Sequence, residues 1–182
     1  PPRSTLSSSS AASDVYKRQD IIDIDITDLE PMVACPPKPD NVKPVSLLND
    51  IRVDSVFIGS CTNGTYEDIK SAATILKGRK VKDGVMAKVV PATQPVFARL
   101  LKEGIIQDLY DAGVIISNPG CGGCASGQIG MTGEGEVQIS TSNRNFTGKQ
   151  GAGDTYLASP ETAAASAVAG RIVSAKMLEE GL

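Results

Sequence analysis

Apolar and polar positions alternate with two different periods along this chain, and segments of the two kinds follow one another in order. Short apolar runs at residues 53–58, 87–90 and 114–116 predict three strands. Residues 137–141 alternate apolar and polar positions, which predicts a fourth strand. Three of these strands, at 53–58, 114–116 and 137–141, lead into loops rich in polar residues or glycine.

Helical spacing fills the segments between the strands. After Thr65, which can cap a helix together with Asp68, apolar residues recur at i, i+3, i+4 and i+7 as far as Leu76. Pro95 in a first turn and Ser159 before a Pro-Glu pair mark two further helix starts. The predicted helices cover residues 65–78 and 95–104, a short piece through 109–113, and an alanine-rich stretch from 159 onward.

Strands that alternate with helices predict right-handed crossovers and a mainly parallel sheet covered on both faces. The expected fold class is therefore α/β, a three-layer α/β/α domain. In open sheets of this kind, ligands bind outside the carboxyl ends of the strands. Three loops follow strand ends here: the loop at Cys61, the loop with Cys121 and Cys124, and residues 142–151. They are predicted to form a single site.

The N-terminal part of the chain differs in composition from the rest. Residues 1–19 are rich in serine and lack apolar periodicity, so we expect a disordered or artefactual tail, and a transit peptide is the alternative. Residues 20–50 are predicted to hold a short isoleucine-rich strand at 21–26 and a linker. The linker, residues 30–44, should be extended because its five prolines forbid a regular helix or a central strand. The main domain is expected at residues 51–182.

Three of the four cysteines lie in the polar loops. Cys121 and Cys124, separated by two glycines, form the local chelate common to zinc and iron–sulfur sites, and Cys61 offers a third thiolate. A zinc site would want a fourth Cys or His, but the chain has no His, and Cys35 in the linker is expected to be a buried small residue. A redox pair is the third alternative, although two glycines make a poor helix start. The residues alone leave all three open.

Composition narrows the class of partner. A length of 182 residues suits one domain, and a net charge of −3 with 4% aromatic residues argues against nucleic acid. No run approaches the roughly 20 apolar residues of a membrane-spanning helix, and four cysteines are too few for a disulfide scaffold. We therefore expect a cytoplasmic protein that binds a small molecule, with no nucleic acid and no membrane as partner.

Three motifs together resemble one family. Ile-Gly-Ser-Cys-Thr-Asn-Gly at residues 58–64, Gly-Cys-Gly-Gly-Cys at 120–124 and Ser-Asn-Arg-Asn-Phe-Thr-Gly at 142–148 occur in the order typical of the aconitase superfamily. Within it, the chain resembles in particular the 3-isopropylmalate dehydratase large subunits and their homoaconitase-like relatives. The resemblance extends from about residue 20 to the end, and the stretch at 159–165 also fits it.

The resemblance implies a [4Fe–4S] cluster held by Cys61, Cys121 and Cys124, with the fourth iron free of protein ligands. Such an iron acts as a Lewis acid in the reversible dehydration of a hydroxy di- or tricarboxylic acid. Asn143 resembles the residue that donates a hydrogen bond to the cluster. Arg144 resembles a substrate-carboxylate anchor, for which a guanidinium is well shaped.

Three further positions near the motifs carry weaker expectations. The family commonly has a second Arg where this chain has Lys149, so the resemblance implies a substrate contact without bidentate geometry. A solvated loop lysine is the alternative for Lys149. Thr62 and Asn63 are expected to support the cluster or the turn rather than to act as catalysts.

The resemblance also implies parts of an enzyme that this chain lacks. The family's histidines and acidic pairs lie in preceding domains, and its serine base lies in a swivelling domain that the dehydratase branch carries on a separate small subunit. We therefore expect no catalytic residue in this chain, no turnover by the chain alone, and a small subunit as partner in a heterodimer or heterotetramer. The alternative is a non-catalytic metal-binding or redox module. The substrate, among isopropylmalate, homocitrate, dimethylmalate and citrate analogues, stays undetermined by these residues.

Overall fold

The computed structural model describes residue 23 and residues 26–181. Within this part of the chain, one sheet contains the strands β1 (Met32–Ala34), β2 (Val42–Pro44), β3 (Ser55–Gly59), β4 (Met86–Val90), β5 (Ile115–Ile116), β6 (Val137–Ser140) and β7 (Asp154–Leu157). Their order across the sheet is β2-β1-β7-β6-β3-β4-β5. The five strands from β7 to β5 run parallel, and β1 and β2 add an antiparallel hairpin beside β7.

Two of the helices begin at the capping residues that the sequence marks. Thr65 and Asp68 form a reciprocal capping box, and the Ser159 hydroxyl accepts a hydrogen bond from the Thr162 N–H. The described helices are α1 (Ser60–Asn63), α2 (Tyr66–Leu76), α3 (Gln94–Lys102), α4 (Ile105–Asp111), α5 (Pro160–Ala169) and α6 (Ala175–Glu179).

One face of the sheet packs against helices. α2 contacts α3, α4 and α5, and α5 also lies against β3. Alternate residues of β3, β4 and β6 point toward these helices, because successive side chains of a strand point to opposite faces. The resulting core is apolar and continuous, and it includes Val56, Ile58, Ala87, Val89, Ile139, Ile69, Leu76, Leu100, Leu109 and Ala164.

The opposite face packs against the segment between β5 and β6. Phe57 is fully buried on this face, and a Cβ added to Gly130 would lie 2.5 Å from Phe57 Cδ2. Around this ring the buried groups are polar. Lys88 donates a hydrogen bond to the Ser55 hydroxyl (2.8 Å), and the Gln138 side chain donates to the Gly130 carbonyl (2.9 Å). Close backbone packing and buried hydrogen bonds therefore fix the segment between β5 and β6 on this face of the sheet.

The α/β class, the mainly parallel sheet, the four predicted strands and the predicted helices are confirmed. α1, β7 and α6 were not predicted. α1 is a helix of four residues at the end of β3, where a loop was expected. β7 has the sequence Asp-Thr-Tyr-Leu, which shows no clear alternation, and its pairing with β6 decides its conformation. α6 has only five residues and follows α5 closely, so it offers too short a pattern to recognise.

The prediction of an extended linker at residues 30–44 is wrong, because this segment forms β1 and β2. Its prolines are compatible with the hairpin. None lies inside β1, three lie between the strands, and Pro44 ends the edge strand β2, where its missing N–H is not needed.

Several expectations for the N-terminal part stay predictions. The tail at residues 1–19 lies outside the described residues, as does most of the isoleucine-rich strand predicted at 21–26. Ile26 is exposed and belongs to no strand. The domain boundary predicted between residues 50 and 51 also stays a prediction. No helix in the described part of the chain is long and apolar enough to cross a membrane.

Candidate functional site

A tight strand-to-helix turn presents Cys61. β3 ends at Gly59, where φ is 137° and an added Cβ would lie 2.1 Å from the Val90 carbonyl oxygen. Ser60 follows with φ at 76°, a backbone conformation that non-glycine residues seldom adopt. α1 therefore begins directly at the strand end, and Cys61 is exposed at the carboxyl edge of the sheet.

Hydrogen bonds tie this turn to Thr141, the residue that follows the neighbouring strand β6. The Gly59 N–H donates to the Thr141 hydroxyl (2.9 Å), and the Asn63 side chain donates to the Thr141 carbonyl. Thr141 directly precedes the loop that carries Asn143 and Arg144. Asn63 thus holds two of the predicted site loops together.

Cys121 and Cys124 lie on a segment whose path depends on glycine. A 3₁₀ turn at Gly122–Cys124 leaves Cys121 exposed and Cys124 half-buried. A Cβ at Gly122 would lie 2.6 Å from Phe57 Cζ, and one at Gly123 would lie 2.7 Å from the Gly130 carbonyl oxygen. Because no side chain fits between the two cysteines, their backbone packs directly on the sheet.

Two residues of the loop after β6 contact Cys124. Lys149 Nζ donates a hydrogen bond to the Cys124 carbonyl (2.6 Å), and Ser142 Oγ lies 3.7 Å from Cys124 Sγ. Lys149 was predicted as a substrate contact or a solvated lysine. The structure places it against the cysteine segment, where its ammonium adds a positive charge.

One cavity of about 290 Å³ brings most of the predicted site residues together. Its walls consist of Cys61, Thr62, Cys121, Cys124, Asn143, Arg144 and Lys149. Arg144 is exposed and forms no ion pair with a carboxylate among the described residues. Asn63 does not line this cavity. Its side chain donates to the Thr141 carbonyl instead.

The four cysteines are free thiols, and they occupy two different environments. Among the described residues, no three or more His, Cys, Asp and Glu side chains form a group that could hold a metal ion. Cys35 is buried near the β1–β2 hairpin, as predicted, and its Sγ lies 4.0 Å from the Val33 carbonyl oxygen. Burial raises the pKa of the Cys35 thiol, and Lys43 opposes this rise.

A second cavity of about 480 Å³ adjoins the first through Cys61. Arg99 stacks on the ring of Tyr66 at 3.4 Å and donates to Glu103 at 2.9 Å. Hydrogen bonds from Tyr66 and then Arg99 hold the pKa of Glu103 below its ordinary value. Arg99 lines this second cavity, whereas Arg144 and Lys149 are the cationic residues that line the cysteine cavity.

Sequence reasoning missed the residues that support this site. Gln150 is buried, its Oε1 accepts a hydrogen bond from the Ser140 hydroxyl (3.0 Å), and its Nε2 donates to the Arg144 carbonyl (3.2 Å). Phe57 was predicted only as an apolar strand residue. Ser142 lies inside a recognised motif, which was the one available signal, whereas Gln150 and Phe57 act through contacts that no local pattern shows.

Comparison with known proteins gives consistent matches. A model of the aconitase family (aconitate hydratase) matches residues 45–170. A probable 3-isopropylmalate dehydratase large subunit of Methanothermobacter thermautotrophicus is 51% identical over 154 residues, which cover 84% of this chain and 37% of that protein. A 3-isopropylmalate dehydratase large subunit of Methanopyrus kandleri is 52% identical over 151 residues, covering 82% and 36%. The chain thus spans a little more than a third of the length of these curated relatives.

Proposed function

The chain belongs to the aconitase family, and we propose that it is the cluster-binding part of a hydro-lyase that dehydrates and rehydrates a hydroxy di- or tricarboxylic acid. The observation that carries this proposal is the cavity in which three cysteines from two distant loops meet an asparagine and two cations. The names of the relatives favour 3-isopropylmalate as the substrate.

The donor set fits a [4Fe–4S] cluster held by Cys61, Cys121 and Cys124. Thiolates are the ligands of such clusters, and thiolates that bind separate irons stand farther apart than the ligands of one metal ion. Glycines 122 and 123 let the segment between the two cysteines pack against Phe57 and Gly130, and among the described residues no fourth cysteine lines the cavity. When bound, the cluster would supply a Lewis-acidic iron that favours departure of the substrate hydroxyl.

The chain's own polar residues would hold the substrate and support the cluster. Arg144 offers an exposed guanidinium fork, which matches one carboxylate of the substrate in bidentate geometry. Asn143 offers an amide donor to the cluster or the substrate. Lys149 has three donors, of which one is used by the Cys124 carbonyl, so its ammonium can still attract a second carboxylate. Thr62 closes the wall beside Cys61.

The proton-transferring base of the reaction would come from outside this chain. No His occurs in the sequence, and among the described residues no carboxylate lines the cysteine cavity. We infer that a small subunit supplies the base and closes the site, in keeping with the name "large subunit" of the relatives.

Anaerobic reconstitution tests the cluster assignment. Iron and sulfide added to the 182-residue chain should produce the broad visible absorption of thiolate-to-iron charge transfer. Cys61→Ser should abolish most of this absorption. Cys35→Ser is the matched control and should retain it, because Cys35 is buried away from the cavity. A wild-type chain that takes up only zinc, or a Cys61→Ser variant that behaves like wild type, would contradict the proposal.

Substrate addition tests the hydro-lyase assignment. 3-Isopropylmalate should change the electron paramagnetic resonance spectrum of the reduced, reconstituted chain. Arg144→Gln should raise the concentration needed for this change about tenfold or more, because a charge-assisted pair to a carboxylate is lost. If no hydroxy acid changed the spectrum, the chain would still bind a cluster, but the hydro-lyase assignment would be contradicted.

A further inference from the structure

We propose that Ser142 is a positioning residue that donates a hydrogen bond to the sulfur of Cys124 and thereby raises the reduction potential of the bound cluster. The inference rests on the proposed function, because it assigns a role to Ser142 at the same cysteine. Ser142 is buried, and its hydroxyl lies 3.7 Å from Cys124 Sγ, within hydrogen-bonding distance for sulfur.

The direction of this hydrogen bond follows from the chemistry of the sulfur. A cysteine that ligates a metal is deprotonated, so its sulfur can only accept. The Ser142 hydroxyl carries one proton and can either donate it to the sulfur or turn it elsewhere. The question is therefore which acceptors around Ser142 compete for that proton.

The competing acceptor is the hydroxyl of Ser140, and its own bonds are already assigned. Ser140 Oγ accepts the Ser142 backbone N–H (3.1 Å) and lies 3.0 Å from Gln150 Oε1 and 3.1 Å from Ser142 Oγ. Gln150 Oε1 can only accept, so it takes the Ser140 proton. Because Ser140 has only one proton and gives it to Gln150, Ser140 does not donate to Ser142. The Ser142 proton can therefore go either to Ser140 Oγ, which already accepts one bond, or to the charged thiolate of Cys124.

The orientation of the Gln150 amide fixes which way the hydrogen bond between Ser140 and Gln150 runs. Its Nε2 donates to the Arg144 carbonyl (3.2 Å), and a carbonyl can only accept, so the amide oxygen faces Ser140. Ser140 and Gln150 are both almost fully buried, which strengthens each bond of the chain. Charge-assisted bonds are the stronger ones, and the Ser142 proton therefore goes to the Cys124 sulfur.

A donor to a ligating sulfur affects the two redox states of a cluster unequally. The reduced cluster carries one more negative charge, so a hydrogen bond to its sulfur stabilises that state more than the oxidised one. The same chain of bonds continues through Gln150 to the backbone of Arg144. The redox behaviour of the cluster is thereby linked to the loop that holds the proposed substrate anchor.

A redox titration of the full 182-residue chain, reconstituted anaerobically, tests the inference. Ser142→Ala and Ser142→Gly both remove the hydroxyl, and neither adds an atom to the buried site. At the wild-type midpoint potential, each should lower the ratio of reduced to oxidised cluster about fivefold, the factor that one modest hydrogen bond supplies. Ser142→Thr keeps the hydroxyl and should restore the ratio.

Ser126→Ala is the matched control. Ser126 is exposed two residues after Cys124, so its substitution should leave the midpoint unchanged. Wild-type potentials in both Ser142→Ala and Ser142→Gly would overturn the inference, as would a Ser142→Thr variant shifted as far as they are. These results would leave the proposed function intact. A wild-type chain that binds no cluster would instead overturn both.

Discussion

The two faces of the sheet are built by different kinds of contact. On the helix face, alternate strand residues meet α2 and α5 in an apolar core. On the loop face, Phe57 packs against glycine backbone, and Lys88, Gln138 and Ser140 form buried hydrogen bonds. The helix face stabilises the domain, whereas the loop face also sets the positions of Cys121 and Cys124. Damage to the loop face should therefore reach the cysteine site first.

Phe57→Ala should give the largest effect. Removal of a fully buried aromatic ring is expected to cost about 4 kcal/mol of unfolding free energy. Because the ring supports the backbone at Gly122 and Gly130, iron uptake should fall as well, even where the chain remains folded. Urea unfolding and anaerobic reconstitution measure the two effects. Normal iron uptake in a destabilised variant would contradict the claim that the loop face sets the positions of Cys121 and Cys124.

Leu76→Ala is the corresponding change on the helix face. Leu76 is fully buried in the core between the helices, and its truncation should cost about 3 kcal/mol. Iron uptake by the folded protein should stay near the wild-type level, because Leu76 packs in the apolar core of the helix face and does not line the cysteine cavity. Equal losses of uptake in the Leu76 and Phe57 variants would show that global stability alone controls the site.

Gly130→Ala should have an intermediate effect. Its φ of 105° is unfavourable for alanine, and the new Cβ would lie 2.5 Å from Phe57 Cδ2, so we expect a loss of about 2 kcal/mol. Gly127→Ala is the matched control, since φ is 76° there and nothing lies within 4 Å of the added Cβ. Denaturant melts of the pair separate backbone strain from packing. Identical losses would argue against the close contact at Phe57.

Lys149→Met should change stability only slightly, by about 1 kcal/mol, because a single partly exposed hydrogen bond is lost. The reconstituted cluster should be lost faster on exposure to a chelator, since Lys149 no longer holds the Cys124 carbonyl. Lys149→Arg keeps a cationic donor and should slow this loss again. The decay of the visible absorption measures both rates, and equal rates in all three proteins would exclude the supporting role.

The smallest effect concerns pH and Lys88. Burial lowers the pKa of Lys88 below its ordinary value of 10.5, and Glu136 partly opposes this shift. The unfolded chain then binds this proton more tightly, so the contribution of Lys88 to stability improves as the pH rises through the lowered pKa toward 10.5. Wild type should therefore gain stability relative to Lys88→Met over that window. Urea titrations of the two proteins at a series of pH values measure this gain, and an equal pH dependence in both would contradict it.

Local patterns were sufficient for most of the fold. The helix from Thr65 to Leu76 was predictable because its cap and its apolar stripe both lie within twelve residues. The hairpin at residues 32–44 was not, since prolines disfavour strands in general. Only the pairing of β1 with β2 and β7 shows that three of these prolines lie between strands and that Pro44 lies at the end of an edge strand. β7 was not predicted for the same reason, because its strand conformation depends on pairing with β6 and β1.

The candidate site likewise has residues that the sequence predicts and residues whose roles only the structure shows. Cys61, Cys121, Cys124, Asn143 and Arg144 stand in recognisable motifs, each after a strand that the sequence predicts, and parallel strands bring their carboxyl ends to one edge. The roles of Ser142, Lys149 and Gln150 depend on distances of a few ångströms to Cys124 and Ser140. No periodicity in the sequence encodes those distances.

By itself, the sequence determined the strand and helix units, the three cysteine-bearing or polar loops, and the edge of the sheet at which they meet. These features depend on interactions between near neighbours in the chain. Only the tertiary structure decided that Phe57 supports the cysteine segment, that Lys149 holds the Cys124 carbonyl and that buried serines connect Cys124 to Arg144. These contacts join residues that only folding brings together, and their energies depend on burial that a linear pattern does not specify.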